Sequence, residues 1–363
     1  MTIRLRYLVW AALALALAGL VVAWSGLISV GASSGHWAIT NVALHWAMQQ
    51  SVETRALSVE PPPNLDDPAL VRRAARHFET SCAFCHGSPA RDGRALPQQM
   101  TPPPPLLTRS AEEWTASELF VIVKHGVKFS GMPAWISLAR DDEVWAMVSF
   151  LRALPRLDAA SYLSLVGVPP EGAAATGDPV IQNCMACHGA DGGSQDGAFP
   201  VIAGQRLAYL RESLHAFADK RRESGIMQFA AAGLSRDDLE RAARYYAALP
   251  APEPAGPERP GSAEGQVIAT RGLPEARVPP CGRCHRRGEV ENPVFPLLDG
   301  QEGWYLEAQL HLWKDHARGG TRYAHLMDKV VPGLSPADIE AVAAHFAAQS
   351  WRPAEPAREE AAK

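Results

Sequence analysis

The chain has 363 residues, enough for two to four domains at roughly 100 to 200 residues each, which excludes a single small fold. Hydrophobic residues make up 47%, charged residues 20%, and the net charge is −4, a balance that excludes both a disordered polyanion and a basic nucleic-acid binder. The 30 prolines and 29 glycines, without a period, are too many for a plain helical bundle and point to compact units joined by loops.

In chain order, the first predicted element follows Arg4 and Arg6. From Tyr7 to about Ala32 no residue is charged, and a run of about 26 residues is long enough for a tilted membrane-spanning helix. A secretory signal has a shorter apolar core, which favours an uncleaved anchor; Gly31, Ala32, Ser33 and Ser34 keep a cleaved signal open. With both arginines before the run and no positive charge immediately after it, the N-terminus belongs in the cytoplasm and the body outside. Residues 1–35 therefore read as the membrane anchor or signal. Residues 36–65 read as an interfacial helix or linker, uncharged through Val52 and carrying Trp37 and Trp46, of the kind found at headgroup level. His36 and His45 are read as ordinary polar positions.

The next unit spans 66–157. Asp67 and Pro68 form an N-cap and first-turn pair, and Leu70, Ala74 and Phe78 recur at spacing four, so a helix should lead into Cys82. Val144, Val148 and Leu151 mark a closing helix that ends near Pro155. From about 172 to 350 the chain repeats itself. Phe199, Gly204, Gln205 and Tyr209 return 96 residues later as Phe295, Gly300, Gln301 and Tyr305, whereas Met227 and Ser235 return 100 residues later as Met327 and Ser335, so four residues are inserted between. Ser235 with Asp238 and Ser335 with Asp338 are predicted capping boxes. The expected units are thus 172–250 and 263–350, joined by a proline-rich strap at 251–262 and followed by a polar tail at 351–363.

All six cysteines fall in three Cys-x-x-Cys-His strings: Cys82, Cys85, His86; Cys184, Cys187, His188; and Cys281, Cys284, His285. Two thiols one helical turn apart face the same way, so each can form a thioether with one vinyl group of a haem, and the adjoining His sits under the iron. Each string predicts one covalently bound haem c, three in all. A structural zinc site would need further ligands near each pair, a thioredoxin-like dithiol would not explain the His three times over, and a disulfide framework would use the same six cysteines.

These strings, their spacing and the helix on either side resemble the class I cytochrome c family. Residues 66–157 resemble its monohaem domains, including those attached to bacterial haem-copper oxidases, and 172–350 resemble dihaem cytochromes of two tandem domains. The resemblance implies an all-α fold of three tandem class I cytochrome c domains behind one N-terminal transmembrane helix. It also implies a distal methionine near the end of each unit. Met227 and Met327 are the only methionines available after His188 and His285 in their units. The first unit offers Met100, Met132 and Met147, of which Met132, in a Gly-Met-Pro-Ala-Trp loop, stands where the family places its ligand. The expected iron ligands are His86 with Met132, His188 with Met227, and His285 with Met327. His125, His215, His311, His316 and above all His325 remain rival distal ligands. The family orients its proximal His through a backbone carbonyl in a proline loop; Pro200 and Pro296 match, and the first unit leaves Pro97 and the run Pro102 to Pro105 open.

No catalytic residue is expected, since an iron capped by His and Met has no vacant position and exchanges electrons. The resulting expectation is a membrane-anchored carrier on the periplasmic face of a bacterial inner membrane. By resemblance, its donors are a quinol-oxidising complex or dehydrogenase and its acceptor a terminal oxidase or soluble cytochrome, with no nucleic-acid partner. The alternative is the cytochrome subunit of a membrane-bound alcohol, aldehyde or sugar dehydrogenase. Catalysis or gas sensing at an open haem is a third reading, and it requires one methionine to leave its iron.

Overall fold

The computed structural model describes residues 5–29, 31–91, 96–167, 177–193, 197–250, 261–286 and 292–350. Among them the regular structure is helical, with two isolated bridges and no strand. Residues 351–363, most of the strap (251–260) and most of the join before the second unit (168–176) lie outside the described residues.

Helix α1 (Leu5–Trp24) has 20 residues, none buried, and at 1.5 Å per residue spans about 30 Å, the thickness of a bilayer's hydrocarbon core. It stops before the uncharged run does. Ser25 Oγ donates to the Val22 carbonyl (2.7 Å) and Gly26 takes a left-handed φ of 70°, two local devices that end a helix regardless of hydropathy. Helix α2 (Ala38–Ala56) presents Ile39, Val42 and Trp46, at spacings of three and four, as one exposed apolar stripe, while its far end buries Val52.

In the first unit, Asp67 caps helix α3 (Pro68–His77) by accepting from Ala69 N–H (2.8 Å), and a wider π-type turn, Phe78–Cys82, carries the chain into the first cysteine string. Helix α4 (Ala116–His125) starts at a capping box of Thr115 and Glu118 and packs against both α2 and helix α5 (Asp141–Ala153). Their common core holds Phe78, Met147, Phe150 and Leu154, all at 1% exposure or less, so Met147 is core packing. Beyond residue 157, helix α6 (Ala159–Val166) returns Tyr162 and Val166 to this same core, both fully buried.

The two later units match helix for helix. Helices α7 (Pro179–His188), α8 (Leu207–Ala218), α9 (Gly225–Ala231) and α10 (Arg236–Ala248) are answered by α11 (Ala263–Arg271), α12 (Gly303–Lys314), α13 (Ala324–Val330) and α14 (Pro336–Ala347). Both expected capping boxes form in full, at Ser235 with Asp238 and at Ser335 with Asp338. The inserted residues fall in the turn between α12 and α13, which leans on the second unit. There Gly320 has φ 74°, and a Cβ on it would stand 1.8 Å from the Arg221 carbonyl oxygen, so only glycine fits. One departure from the repeat is local. In the second unit the helix runs straight to its string, whereas α11 ends at Gly272 and a bridge between Leu273 and Val278 brings the chain to Cys281.

The repeated glutamines join the pair. Gln205 donates to the Leu297 carbonyl (3.0 Å) and accepts from its N–H (2.9 Å), while Gln301 does the same with Val201 (2.8 and 2.7 Å). Since Val201 and Leu297 are themselves 96 residues apart, the two halves exchange identical bonds about a pseudo-twofold axis. The first unit docks on this pair differently. Arg73 Nε donates to the Ala198 carbonyl (3.1 Å) with its guanidinium 3.3 Å from the Trp304 ring centre, and Arg140 Nη1 donates to the Glu223 carbonyl (3.0 Å).

Candidate functional site

A single cavity of about 1280 Å³ runs through the tandem pair. Its wall carries Cys184, Cys187, His188 and Met227 from the second unit together with Cys281, Cys284, His285 and Met327 from the third. The rest is largely apolar, including Phe199, Phe217, Phe295 and Phe346. One small-molecule site occupies about 300–1,000 Å³, so this volume exceeds a single ligand. His215, His311, His316 and His325 do not line it, and His311, His316 and His325 are exposed.

The imidazoles are held from behind. His285 Nδ1 lies 2.9 Å from the Pro296 carbonyl oxygen, and His86 Nδ1 lies 2.9 Å from that of Pro105, which selects the later of the two proline segments left open in the first unit. His188 Nδ1 faces the Pro200 carbonyl but falls short of hydrogen-bond geometry. An acceptor at Nδ1 leaves Nε2 as the metal-facing nitrogen. Burial lowers the His188 pKa to about 4 and lowers that of His285 as well, so both rings are neutral, the form that ligates. Aromatic rings repeat beside them, Phe199 at 6.1 Å from His188 and Phe295 at 6.2 Å from His285.

The six cysteines form no disulfide. Burial pushes the Cys82 thiol up to about 12 and those of Cys184, Cys187 and Cys281 up to about 11, which keeps them as thiols and argues against a reactive dithiol. Among the described residues no three His, Cys, Asp or Glu side chains converge as a metal cluster.

In the first unit, Met132 is half-buried in the loop between α4 and α5, where Val127 N–H donates to its carbonyl (3.2 Å) and its own N–H donates to Ser130 Oγ (3.1 Å). Met100 packs on Gly131 from the other side, since a Cβ there would meet its terminal methyl at 1.9 Å. His125 is exposed at the end of α4.

The cavity also holds a cluster that the sequence reading did not pick out. Arg222 donates to Ser213 Oγ (3.0 Å), Tyr305 Oη (3.1 Å) and Gln309 Oε1 (3.2 Å), and Arg318 donates to Gln309 while its Nη1 is buried without a partner. The two arginines are 96 residues apart and so belong to the repeat, the one signal that could have found them. No carboxylate is among these partners. Burial and the neighbouring Arg222 lower Arg318 to about 10; burial alone would raise Tyr209, but Arg222 and Arg318 bring it down to about 8. Two buried cations facing an apolar cavity without a counter-ion call for an anion inside it. A haem, an apolar macrocycle with two carboxylates on one edge, fits this lining, the paired thiols and the neutral imidazoles.

Comparison with known proteins gives the following likenesses. Residues 69–151 match the family described as cytochrome C oxidase, cbb3-type, subunit III, and residues 174–246 match the family described as cytochrome c. A thiosulfate dehydrogenase electron acceptor of Thiomonas intermedia is 38% identical over 203 residues, which cover 53% of this chain and 87% of that protein. A second thiosulfate dehydrogenase electron acceptor, of Stutzerimonas stutzeri, is 37% identical over 177 residues, covering 47% and 80%. A cytochrome c4 of Pseudomonas aeruginosa is 32% identical over 178 residues, covering 48% and 88%.

Proposed function

Because the chain belongs to the class I c-type cytochrome family, we propose that it is a membrane-anchored trihaem cytochrome c that relays single electrons on the periplasmic face of a bacterial inner membrane. When bound, each haem supplies one reversible one-electron couple. The residues of the chain do the rest. The cysteine pairs at 82/85, 184/187 and 281/284 tether the porphyrins. His86 with Met132, His188 with Met227 and His285 with Met327 would hold the three irons, and an iron so held would keep no position for oxygen or peroxide. The thioether favours the reduced iron, and the apolar wall around His188 and His285 raises the cost of the ferric charge. Arg222 and Arg318 would pair with haem carboxylates in the cavity they share.

One observation carries this reading: a single apolar cavity lined at once by two cysteine pairs, two imidazoles and two thioethers. Helix α1 serves as the anchor, and the exposed stripe of α2 lies in the headgroup layer, confining the relay to the membrane plane. The likeness to electron acceptors of thiosulfate dehydrogenase favours an exported dehydrogenase as donor, and the likeness of residues 69–151 to an oxidase subunit favours exit through the first unit to a terminal oxidase.

Full-length protein from the membranes of a host that matures such cytochromes should carry three haems per polypeptide by intact mass. It should titrate in three one-electron steps and, once reduced, take up no carbon monoxide. Fewer than three haems, pigment extractable into acidified organic solvent, or carbon monoxide uptake overturns the reading.

A further inference from the structure

The seam between the first unit and the tandem pair contains a carboxylate that the electron relay leaves without a task. Glu143, at the start of α5, has its side chain 5% exposed. Oε1 pairs with Arg140 Nη1 of its own unit (3.0 Å) and accepts from Ser224 Oγ (2.5 Å), and Oε2 accepts from Gly225 N–H (2.6 Å) and from Trp135 Nε1 (3.2 Å). Ser224 is the N-cap of α9, and its Oγ accepts the Met227 N–H (3.0 Å). Glu143 is thus one hydrogen-bonded residue away from the backbone of Met227. Trp135 presses on the same spot, for a Cβ on Gly225 would stand 2.2 Å from its Nε1. The matching helix of the third unit has no such support, since Tyr323 precedes α13 and makes no side-chain cap. The duplicated methionine segments therefore differ, one being braced by a carboxylate from another unit and the other not.

We propose that Glu143 is a positioning residue for the second haem: from the first unit it fixes the segment that carries Met227, so that docking of the first unit governs how firmly that iron is capped. This rests on the reading of Met227 as the distal ligand. A group that orients a metal ligand from outside sets ligand strength and potential. Loss of Glu143 leaves no stranded cation, because Arg140 keeps two bonds to Asp142 (2.8 and 2.7 Å) and one to the Glu223 carbonyl.

The test uses full-length holoprotein carrying Glu143→Ala, Glu143→Gln, Met227→Leu or Glu143→Ala with Met227→Leu. Reduced protein is titrated with carbon monoxide, and the potential of each haem is measured. Met227→Leu should open one site per chain. Glu143→Ala should raise carbon monoxide affinity about 10- to 100-fold at one haem only, as expected for loss of a ligand's outer partner, with that haem's potential falling and the other two unchanged. Glu143→Gln, which keeps the shape and one acceptor oxygen, should fall between, and it carries the test if the alanine protein does not accumulate. The double variant should take up no more than Met227→Leu alone. If Met227→Leu opens a site and neither Glu143 variant changes uptake or potential, this proposal fails while the ligand reading stands. If Met227→Leu opens none, the ligand reading fails and this proposal with it. A second site opened in the double variant would place the action of Glu143 at another haem and overturn the proposal.

Discussion

The two seams of this molecule are built on different principles. Between the tandem units the contact is symmetric and repeats the chain's own duplication. Gln205 and Gln301 make the same pair of backbone bonds in opposite directions, Arg222 and Arg318 stand at equivalent positions, and one cavity serves both halves. Between the first unit and the pair the contact is asymmetric, made by the charged side chains of Arg73, Arg140 and Glu143 on backbone groups of the pair. A duplicated domain can bury its partner with a single surface used twice, whereas a third domain must find a surface of its own.

The largest expected effect breaks this comparison at the cavity. Replacing Cys184 and Cys187 by serine removes one covalent tether and empties half of a space that neither unit closes alone. The tandem pair should lose its cooperative stability, about 5–15 kcal/mol for a domain, while α3, α5 and α6 of the first unit keep theirs. Hydrogen exchange read by mass spectrometry separates the two; simultaneous loss of protection in the first unit would make the seams equally integral.

Next, Gln205→Ala and Gln301→Ala each strand two backbone N–H groups, one in the partner unit and one in the next residue, and one carbonyl, at a cost of about 1–3 kcal/mol per unsatisfied buried group. Their denaturant midpoints should shift alike, since the bonds are symmetric. Arg73→Ala removes a backbone bond and a stacked guanidinium from the other seam and should cost about 1–2 kcal/mol. Arg73→Lys should recover little of that, because the planar stack is lost. Its effect should fall on docking of the first unit, measured by crosslinking across the seam, and leave the tandem transition in place.

The smallest effect is in acid. Asp178 is held below its usual range by the Arg241 side chain, and Asp238 by the Ser235 hydroxyl. A depressed folded pKa means that the unfolded chain binds more protons. This stabilisation is therefore full above the unfolded value of about 3.8 and is lost as pH falls through the lower folded values. Arg241→Ala should therefore lower the tandem pair's denaturant midpoint slightly at neutral pH and leave it unchanged below the folded carboxylate values, so that the acid limb of the unfolding curve flattens.

Much of the fold was legible without coordinates, and what was legible is local. Asp67 before Pro68, Ser235 with Asp238 and Ser335 with Asp338 announce helix starts because a cap needs only neighbours within three residues. The cysteine strings need only one helical turn to declare their chemistry, and the presence of α1 follows from hydropathy alone, though its end at Trp24 was set by Ser25 and Gly26 rather than by the last apolar residue near Ala32. Helix α6 was missed because eight residues carry little periodic signal, and Tyr162 shows its purpose only against Phe78 and Phe150.

The sequence by itself determined the helical class, the repeat and the three cysteine strings, since these depend on spacing along one chain. Tertiary structure alone decided that the first unit is docked rather than tethered, that two cysteine strings line one cavity, and that Glu143 reaches residues 81 and 82 positions away. Those outcomes depend on which faces meet, and a side chain's partner across a seam leaves no periodic trace at either end.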